Sequence, residues 1–155
     1  MPAGIVVHVA DGLDLRRIAP GMGGRHGVTH VVRRAARAAL EETDAPAAKL
    51  SFAILADAEM AELHGRYLGK PVTTDVLSFP LNEQGAKPSG EVCIGIEQAA
   101  RQAEELHVPL DQELARLAIH GTLHILGHDH PEDEGRVTSP MWQLQEHILW
   151  QLNTV

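Results

Sequence analysis

The chain has few of the features that mark secreted or membrane proteins. Cys93 is its single cysteine, so a disulfide within the chain is excluded, and such usage is typical of a reducing compartment. No apolar run reaches the roughly 18 residues that a membrane span requires. Asp11 and Asp14 interrupt the N-terminal segment before a signal-type apolar stretch develops. We therefore expect a cytoplasmic protein without a membrane partner.

Length and composition predict one ordinary globular domain. The 155 residues are 44% hydrophobic and 22% charged, which excludes a disordered chain. We expect a single domain spanning residues 1–155, large enough to bury its own core. The net charge of −8 argues against a general nucleic-acid-binding surface, but residues 1–40 hold six arginines against two aspartates. This basic region can meet phosphate locally, or it can simply be a solvated helix face.

Apolar periodicity places the strands before residue 97 and most of the helices after it. Short β-branched or apolar runs predict strands at 4–9, 49–56, 75–79 and 91–96. Helical spacing predicts helices at 29–42, 57–68, 97–106, 111–126 and 141–152. Glycine and proline predict loops at 19–27 and 82–90. The pattern indicates an α+β fold, with a small mixed sheet of about four strands and helices packed on it.

Two smaller features accompany these helices. Asp57 stands where a side-chain N-cap is expected before the second helix. Trp142 and Trp150 lie eight residues apart on one face of the last helix, where we expect both to pack into the core.

Four of the ten histidines fall within eleven residues, in HGTLHILGHDH at 120–130. His120 and His124 are four residues apart, so a helix aims both imidazoles at one point. Gly127 can end that helix in the left-handed conformation and turn the chain back, which brings His130 to the same point. Four unrelated surface histidines are the alternative interpretation, and this spacing disfavours it.

Three imidazoles around one ion leave a fourth position open, which is typical of catalytic zinc. Zinc suits three neutral imidazoles, although nickel, copper or cobalt also fit. Asp129 can hold a ligand's second ring nitrogen or be a solvated turn residue. His128 and Asp129 are the acid/base candidates within the motif.

The spacing H-x-x-x-H-x-x-G-x-x-H is also that of metzincin proteases, with one departure. Those enzymes carry a glutamate after the first histidine as general base, whereas this chain has Gly121. Glycine cannot accept a proton, so ordinary metzincin proteolysis is disfavoured.

Two further segments accompany the histidine motif: TTDVLSFP at 73–80 and GEVCI at 90–94. In this order, and over most of the chain, the three segments resemble the YbeY family of bacterial metal-dependent endoribonucleases. The resemblance implies an α+β protein with one zinc ion per chain, held by the catalytic histidines His120, His124 and His130. It also implies single-strand-specific endoribonuclease activity in the cytoplasm, in maturation of the 3′ end of small-subunit (16S) ribosomal RNA and in ribosome quality control. Single-stranded ribosomal RNA and the ribosome or its small subunit are the implied partners.

The chain departs from this family at one position. Many members carry an arginine in a tyrosine–arginine–glycine context that contacts RNA, and the matching position here is Leu68. Arg66 and Lys70 flank it and are the substrate-binding candidates. Met141 and Glu146 also resemble family positions.

The motif leaves the reaction route and the function class open. A zinc-bound hydroxide can attack phosphorus directly, or the metal can activate the RNA 2′-hydroxyl, which leaves a cyclic phosphate. A metal-dependent peptidase is one alternative function. A non-catalytic, zinc-containing ribosome assembly factor is another, and its mark would be a fourth protein ligand such as Asp129.

Overall fold

The computed structural model describes residues 4–45, 47–81 and 87–154, which form a four-stranded sheet with helices packed on it. The strands are β1 (Gly4–Val9), β2 (Lys49–Leu55), β3 (Val76–Pro80) and β4 (Ser89–Gly95). The helices are α1 (Leu15–Ile18), α2 (Gly24–Glu42), α3 (Asp57–Leu68), α4 (Ile96–Leu106), α5 (Leu110–Ile125) and α6 (Pro140–Thr154), with a 3₁₀ turn at Glu134–Thr138. This confirms the predicted α+β class and the mixed four-stranded sheet. None of the described helices is long and apolar enough to cross a bilayer.

The sheet has the strand order β1-β2-β4-β3. Strands β1, β2 and β4 run parallel, whereas β3 pairs antiparallel with β4. The parallel pair β1 and β2 needs a long crossover, which α2 supplies. Strand β3 forms one edge of the sheet and ends at Pro80, whose missing N–H is tolerated at an edge.

The main core lies between the sheet and helices α2, α5 and α6. Phe52, Ile54, Val92 and Ile94 point from the central strands into this core and are fully buried. Met60 of α3 closes a smaller cluster on the opposite face of the sheet, beside Leu77 and Cys93. Helix α5 is therefore surrounded by protein along most of its length, and its C-terminal end is where the histidine motif begins.

Four details differ from the sequence-based expectations. Helix α2 begins at Gly24, five residues earlier than predicted, because its glycine-rich first turn carries no apolar periodicity. Asp57 is the first residue of α3 rather than its N-cap, since its carboxylate instead accepts hydrogen bonds from Thr73 and Arg101. Trp150 is 65% exposed, so the prediction of core packing is wrong for it. The loop predicted at 82–90 lies outside the described residues over 82–86, and residues 89 and 90 already belong to β4.

Candidate metal centre

Helix α5 positions the first two histidines of the motif. His120 is buried, 5% exposed, and His124 lies one turn later and is half-buried. Between them, Gly121 faces β4, where an added Cβ would lie 2.4 Å from a Val92 Cγ atom. This glycine therefore allows α5 to approach the sheet closely enough to fix the direction of both imidazoles.

The turn after α5 brings the third histidine back to the first two. Gly127 has a φ of 96°, the left-handed conformation that was predicted for it. The N–H of Gly127 donates to the His124 carbonyl, and the N–H of His128 donates to the Leu123 carbonyl, both at 3.0 Å. These bonds close the helix end and reverse the chain, so that His130 meets the α5 pair.

The three Nε2 atoms converge on one point. The Nε2 of His130 lies 3.2 Å from that of His124 and 3.3 Å from that of His120. Two nitrogens bound to one tetrahedral zinc ion at 2.0–2.1 Å are about 3.3 Å apart. The three side chains are therefore close enough to hold a metal ion, and their spacing fits zinc.

Hydrogen bonds at the second ring nitrogens fix the tautomers of two of these imidazoles. His120 Nδ1 lies 2.5 Å from Gln145 Oε1, and His130 Nδ1 lies 2.9 Å from the Pro131 carbonyl oxygen. Both partners are acceptors, so each Nδ1 must carry the proton and donate. The Nε2 atoms of the neutral rings then carry lone pairs that face each other, an arrangement that a shared cation stabilises.

A chain of side chains from α5 and α6 supports Gln145. Its Nε2 donates to Glu146 Oε2 at 3.0 Å, which turns its Oε1 towards His120. Arg116 donates twice to the Glu146 carboxylate, at 3.0 and 3.1 Å, and also pairs with the buried Glu113. This network fixes the His120 ring from behind and joins α6 to α5.

Burial keeps the α5 imidazoles neutral. It lowers the pKa of His120 from its ordinary value of 6.5 to about 4, and the hydrogen bond to Gln145 opposes this only in part. Burial also lowers the pKa of His124; the electrostatic effects of His130 and Arg136 lower it further, while the carboxylate of Asp129 opposes them. Neutral imidazole is the form that binds a metal ion.

The imidazoles line an open cleft of ≈ 760 Å³ between α5, β3 and the segment after the motif. Its other lining residues are His64, Leu68, Lys70, Thr74, Asp75, Val76, Leu77, Ser78, Pro80, Glu132 and Arg136. A cleft of this volume accommodates a segment of a chain-like substrate beside the three imidazoles.

The other predicted site residues lie at different distances from this cleft. Lys70 lines it, whereas Arg66 is exposed and pairs with Glu62 at 2.8 Å. Asp129 is exposed, and its Oδ1 accepts the backbone N–H of His130 at 2.8 Å. His128 and Asp129 are absent from the lining of the cleft as described, so their acid/base role, like the role of Arg66, stays a prediction.

Sequence reasoning missed Gln145, Asp75, Glu132 and Arg136 as site residues. Asp75 was visible within TTDVLSFP, directly before an apolar strand end, but was not singled out. Gln145 and Arg136 follow the motif by 15 and 6 residues, at spacings that no local periodicity relates to the histidines.

The sequence matches a known family over most of its length. The family model described as Endoribonuclease YbeY matches residues 25–153. A protein named Endoribonuclease YbeY from Persephonella marina is 35% identical over 132 residues, which are 83% of this chain and 86% of that protein. One of the same name from Mycolicibacterium gilvum is 41% identical over 115 residues, or 67% of this chain and 64% of that protein.

The fold also has a solved counterpart. The solution structure of a protein from Thermotoga maritima aligns with a TM-score of 0.59 at 21% identity, covering 97% of this chain and 88% of that one. At this identity the likeness concerns the fold alone.

Proposed function

The chain belongs to the endoribonuclease YbeY family, and from this premise we propose that it is a zinc-dependent endoribonuclease that cuts single-stranded RNA. The observation that carries the proposal is the convergence of three Nε2 atoms at zinc-like spacing on the wall of an open cleft. When bound, zinc supplies Lewis acidity at a phosphoryl oxygen.

We further propose that the substrate is the 3′ end of 16S ribosomal RNA, that the small subunit is the partner, and that the work is done in the cytoplasm. Ribosome quality control belongs to the same proposal. Its support is the resemblance carried by TTDVLSFP, GEVCI and the histidine motif. Incubation of the protein with small subunits that carry unprocessed 3′ ends tests it, because correct processing should require the subunit rather than naked RNA alone.

We assign three roles to residues at this site: zinc binding, orientation of the imidazole rings and proton acceptance. His120, His124 and His130 would hold the zinc ion, while Gln145 and the Pro131 carbonyl orient their rings. Asp75 lines the same cleft, and its Oδ1 accepts the N–H of Val76 at 2.8 Å. Its Oδ2 makes no hydrogen bond with any described residue, so we assign this atom the role of accepting the proton of the attacking hydroxyl. Asp75→Asn should lower the cleavage rate and leave the zinc affinity unchanged.

No observation among the described residues specifically favours either the peptidase or the non-catalytic assembly factor. A metzincin-type peptidase needs a glutamate after its first histidine, and here that position is Gly121, packed against Val92. A closed structural zinc site needs a fourth protein ligand. Among the described residues, the group that can hold a metal ion consists of the three histidines.

The decisive experiment is cleavage of a single-stranded ribosomal RNA fragment by zinc-loaded protein, with and without a chelator, beside His124→Ala. Removing one imidazole should abolish cleavage, because two ligands do not hold a catalytic zinc ion in place. His26→Ala is the matched control, since His26 is exposed at the start of α2 and outside the cleft.

The product ends distinguish the two routes. A 2′,3′-cyclic phosphate marks attack by the RNA 2′-hydroxyl, and its absence marks direct hydrolysis. Equal cleavage by wild type and His124→Ala would refute the assignment of the metal centre. No cleavage by fully zinc-loaded protein, on RNA or on small subunits, would favour the assembly-factor alternative.

A further inference from the structure

Arg136 lies on the boundary between the metal cleft and a second cavity of ≈ 460 Å³ behind it. His120 and Asp75 are the other two residues that line both spaces. The second cavity extends between α4, α5 and α6, with Leu106 and Trp142 among its apolar walls. A group bound at this boundary is therefore next to the innermost metal ligand.

The guanidinium of Arg136 has no polar partner among the described residues. The side chain is half-buried, and its Nε is the one buried side-chain nitrogen or oxygen without a hydrogen-bond partner in the described part of the chain. Three acidic residues, Glu132, Asp133 and Glu134, immediately precede this segment, yet Arg136 pairs with none of them. Arg116, on the wall of the second cavity, pairs with both Glu113 and Glu146. A buried Nε–H without an acceptor is unfavourable, so an anion from outside that reaches this guanidinium would complete the site.

The side chain is nevertheless held in one place. Its Cζ lies 5.6 Å from the centre of the Trp142 ring, within the range of a cation–π contact. Its backbone N–H donates to the Asp133 carbonyl at 3.0 Å, and its own carbonyl accepts the Ser139 hydroxyl at 2.7 Å. Such an arginine is positioned before any ligand arrives, which reduces the entropy lost on binding.

Arg136 lines the same cleft as His120, His124 and His130. A fixed cation beside three imidazoles favours an anionic ligand in the cleft. Two non-bridging phosphodiester oxygens match the two parallel N–H groups of a guanidinium.

We propose that Arg136 is a phosphate-binding residue, whose guanidinium donates to the non-bridging oxygens of an RNA phosphodiester lying in the metal cleft. The inference rests on the proposed function for the identity of the strand. Trp142 is a positioning residue that holds the guanidinium at the boundary of the two cavities. Arg66 differs from Arg136 because it already forms a salt bridge with Glu62.

The test is equilibrium binding of a fluorescent, single-stranded 2′-O-methyl oligoribonucleotide of ten nucleotides to the zinc-loaded full chain at several salt concentrations. Arg136→Gln should weaken binding about tenfold at low salt. It should also lower the slope of log affinity against log salt by about 0.7, the contribution of one phosphate contact on a single strand. Arg136→Lys should keep the slope and bind with intermediate affinity, because it retains the charge without the paired donors.

Arg37→Gln is the matched control. It removes the same charge from an exposed position on α2 that lines neither cavity, so affinity and slope should stay at the wild-type values. Zinc content and thermal unfolding of each variant confirm that it is folded and loaded. Trp142→Leu should also weaken oligonucleotide binding, whereas Trp142→Phe should retain most of the wild-type affinity.

Three outcomes overturn the inference: wild-type affinity and slope in Arg136→Gln, an equal loss in Arg37→Gln, or no binding by the wild-type protein. Cleavage by the wild type is measured separately. Loss of binding in Arg136→Gln without cleavage by the wild type would refute the nuclease and leave the phosphate site. Cleavage with unchanged binding in Arg136→Gln would refute the phosphate site alone.

Discussion

The candidate metal centre is built from two regions of very different construction. His120 and His124 stand on α5, whose residues from Glu113 to Leu123 are almost all buried. His130 stands six residues further on, where the neighbouring Asp129 and Pro131 are exposed. The helical region is held by its packing against the sheet and the neighbouring helices. The region after Gly127 is held by short-range bonds, such as that from the His130 N–H to Asp129.

This contrast teaches which ligand responds to which change. Perturbing the packing of α5 should disturb stability and metal binding together, because the same contacts serve both. Perturbing the turn should change metal affinity with less effect on the fold, since few buried contacts depend on it. Four predictions test this separation.

The largest effect is expected from acid, acting on the helical region of the metal-free protein. His120 has a pKa of about 4 when folded, below its value of 6.5 in the unfolded chain. Between pH 6.5 and 4, His120 is therefore protonated in the unfolded chain but stays neutral in the folded protein. Stability should fall across this window by up to about 3 kcal/mol from this group, with a further loss from His124.

Urea unfolding at successive pH values measures this loss. His120→Leu should flatten the dependence over the same window, and His26→Ala should leave it unchanged. A metal-free protein equally stable at pH 7 and pH 4.5 would contradict the prediction.

The second prediction concerns the support that α6 gives to the helical region. Gln145→Leu removes the acceptor of the His120 Nδ1 proton and should weaken zinc binding about 10–100-fold. Gln145→Glu keeps an acceptor there and should retain zinc. Chelator competition measures both, and equal affinities in the two variants would show that this hydrogen bond does not orient the ring.

Gly121→Ala tests the packing of α5 against the sheet. The added Cβ would meet Val92 Cγ1 at 2.4 Å, so we expect a loss of about 1–2 kcal/mol after the better helix propensity of alanine is allowed for. Adding Val92→Ala should relieve the overlap, so that the double variant is less destabilised than the sum of the two single variants. Simple additivity in denaturant unfolding would argue against this contact.

The smallest effect on stability, about 1 kcal/mol, is expected from Gly127→Ala in the turn, where φ is 96°. Zinc affinity should fall with it, because the chain no longer returns His130 to the pair on α5. Gly12→Ala carries similar strain, at a φ of 86° in a loop outside the metal centre, and should leave zinc affinity unchanged. Equal zinc affinities in the two variants would show that the turn does not position the third ligand.

The parts of this site that the sequence could predict are those that depend on local features. The pair on α5 and the turn at Gly127 are local features, so periodicity and glycine placement were enough to find them. The four strands were equally local, and their boundaries shifted by only one or two residues. Gln145 and Arg136 join the site through the packing of α6 and of the 3₁₀ turn, which no short-range pattern encodes. Trp150 was misplaced for the converse reason, because helical spacing does not tell which part of a long face has a neighbour.

The hydrogen-bonded chain from Arg116 through Glu146 and Gln145 to His120 has a consequence for the order in which the enzyme is made. All three imidazoles precede α6 in the sequence, so a nascent chain carries its ligands before it carries the amide that orients the first of them. We therefore expect the candidate metal centre to be complete only after the last helix has left the ribosome and docked. We also expect a chain truncated before α6 to bind zinc weakly.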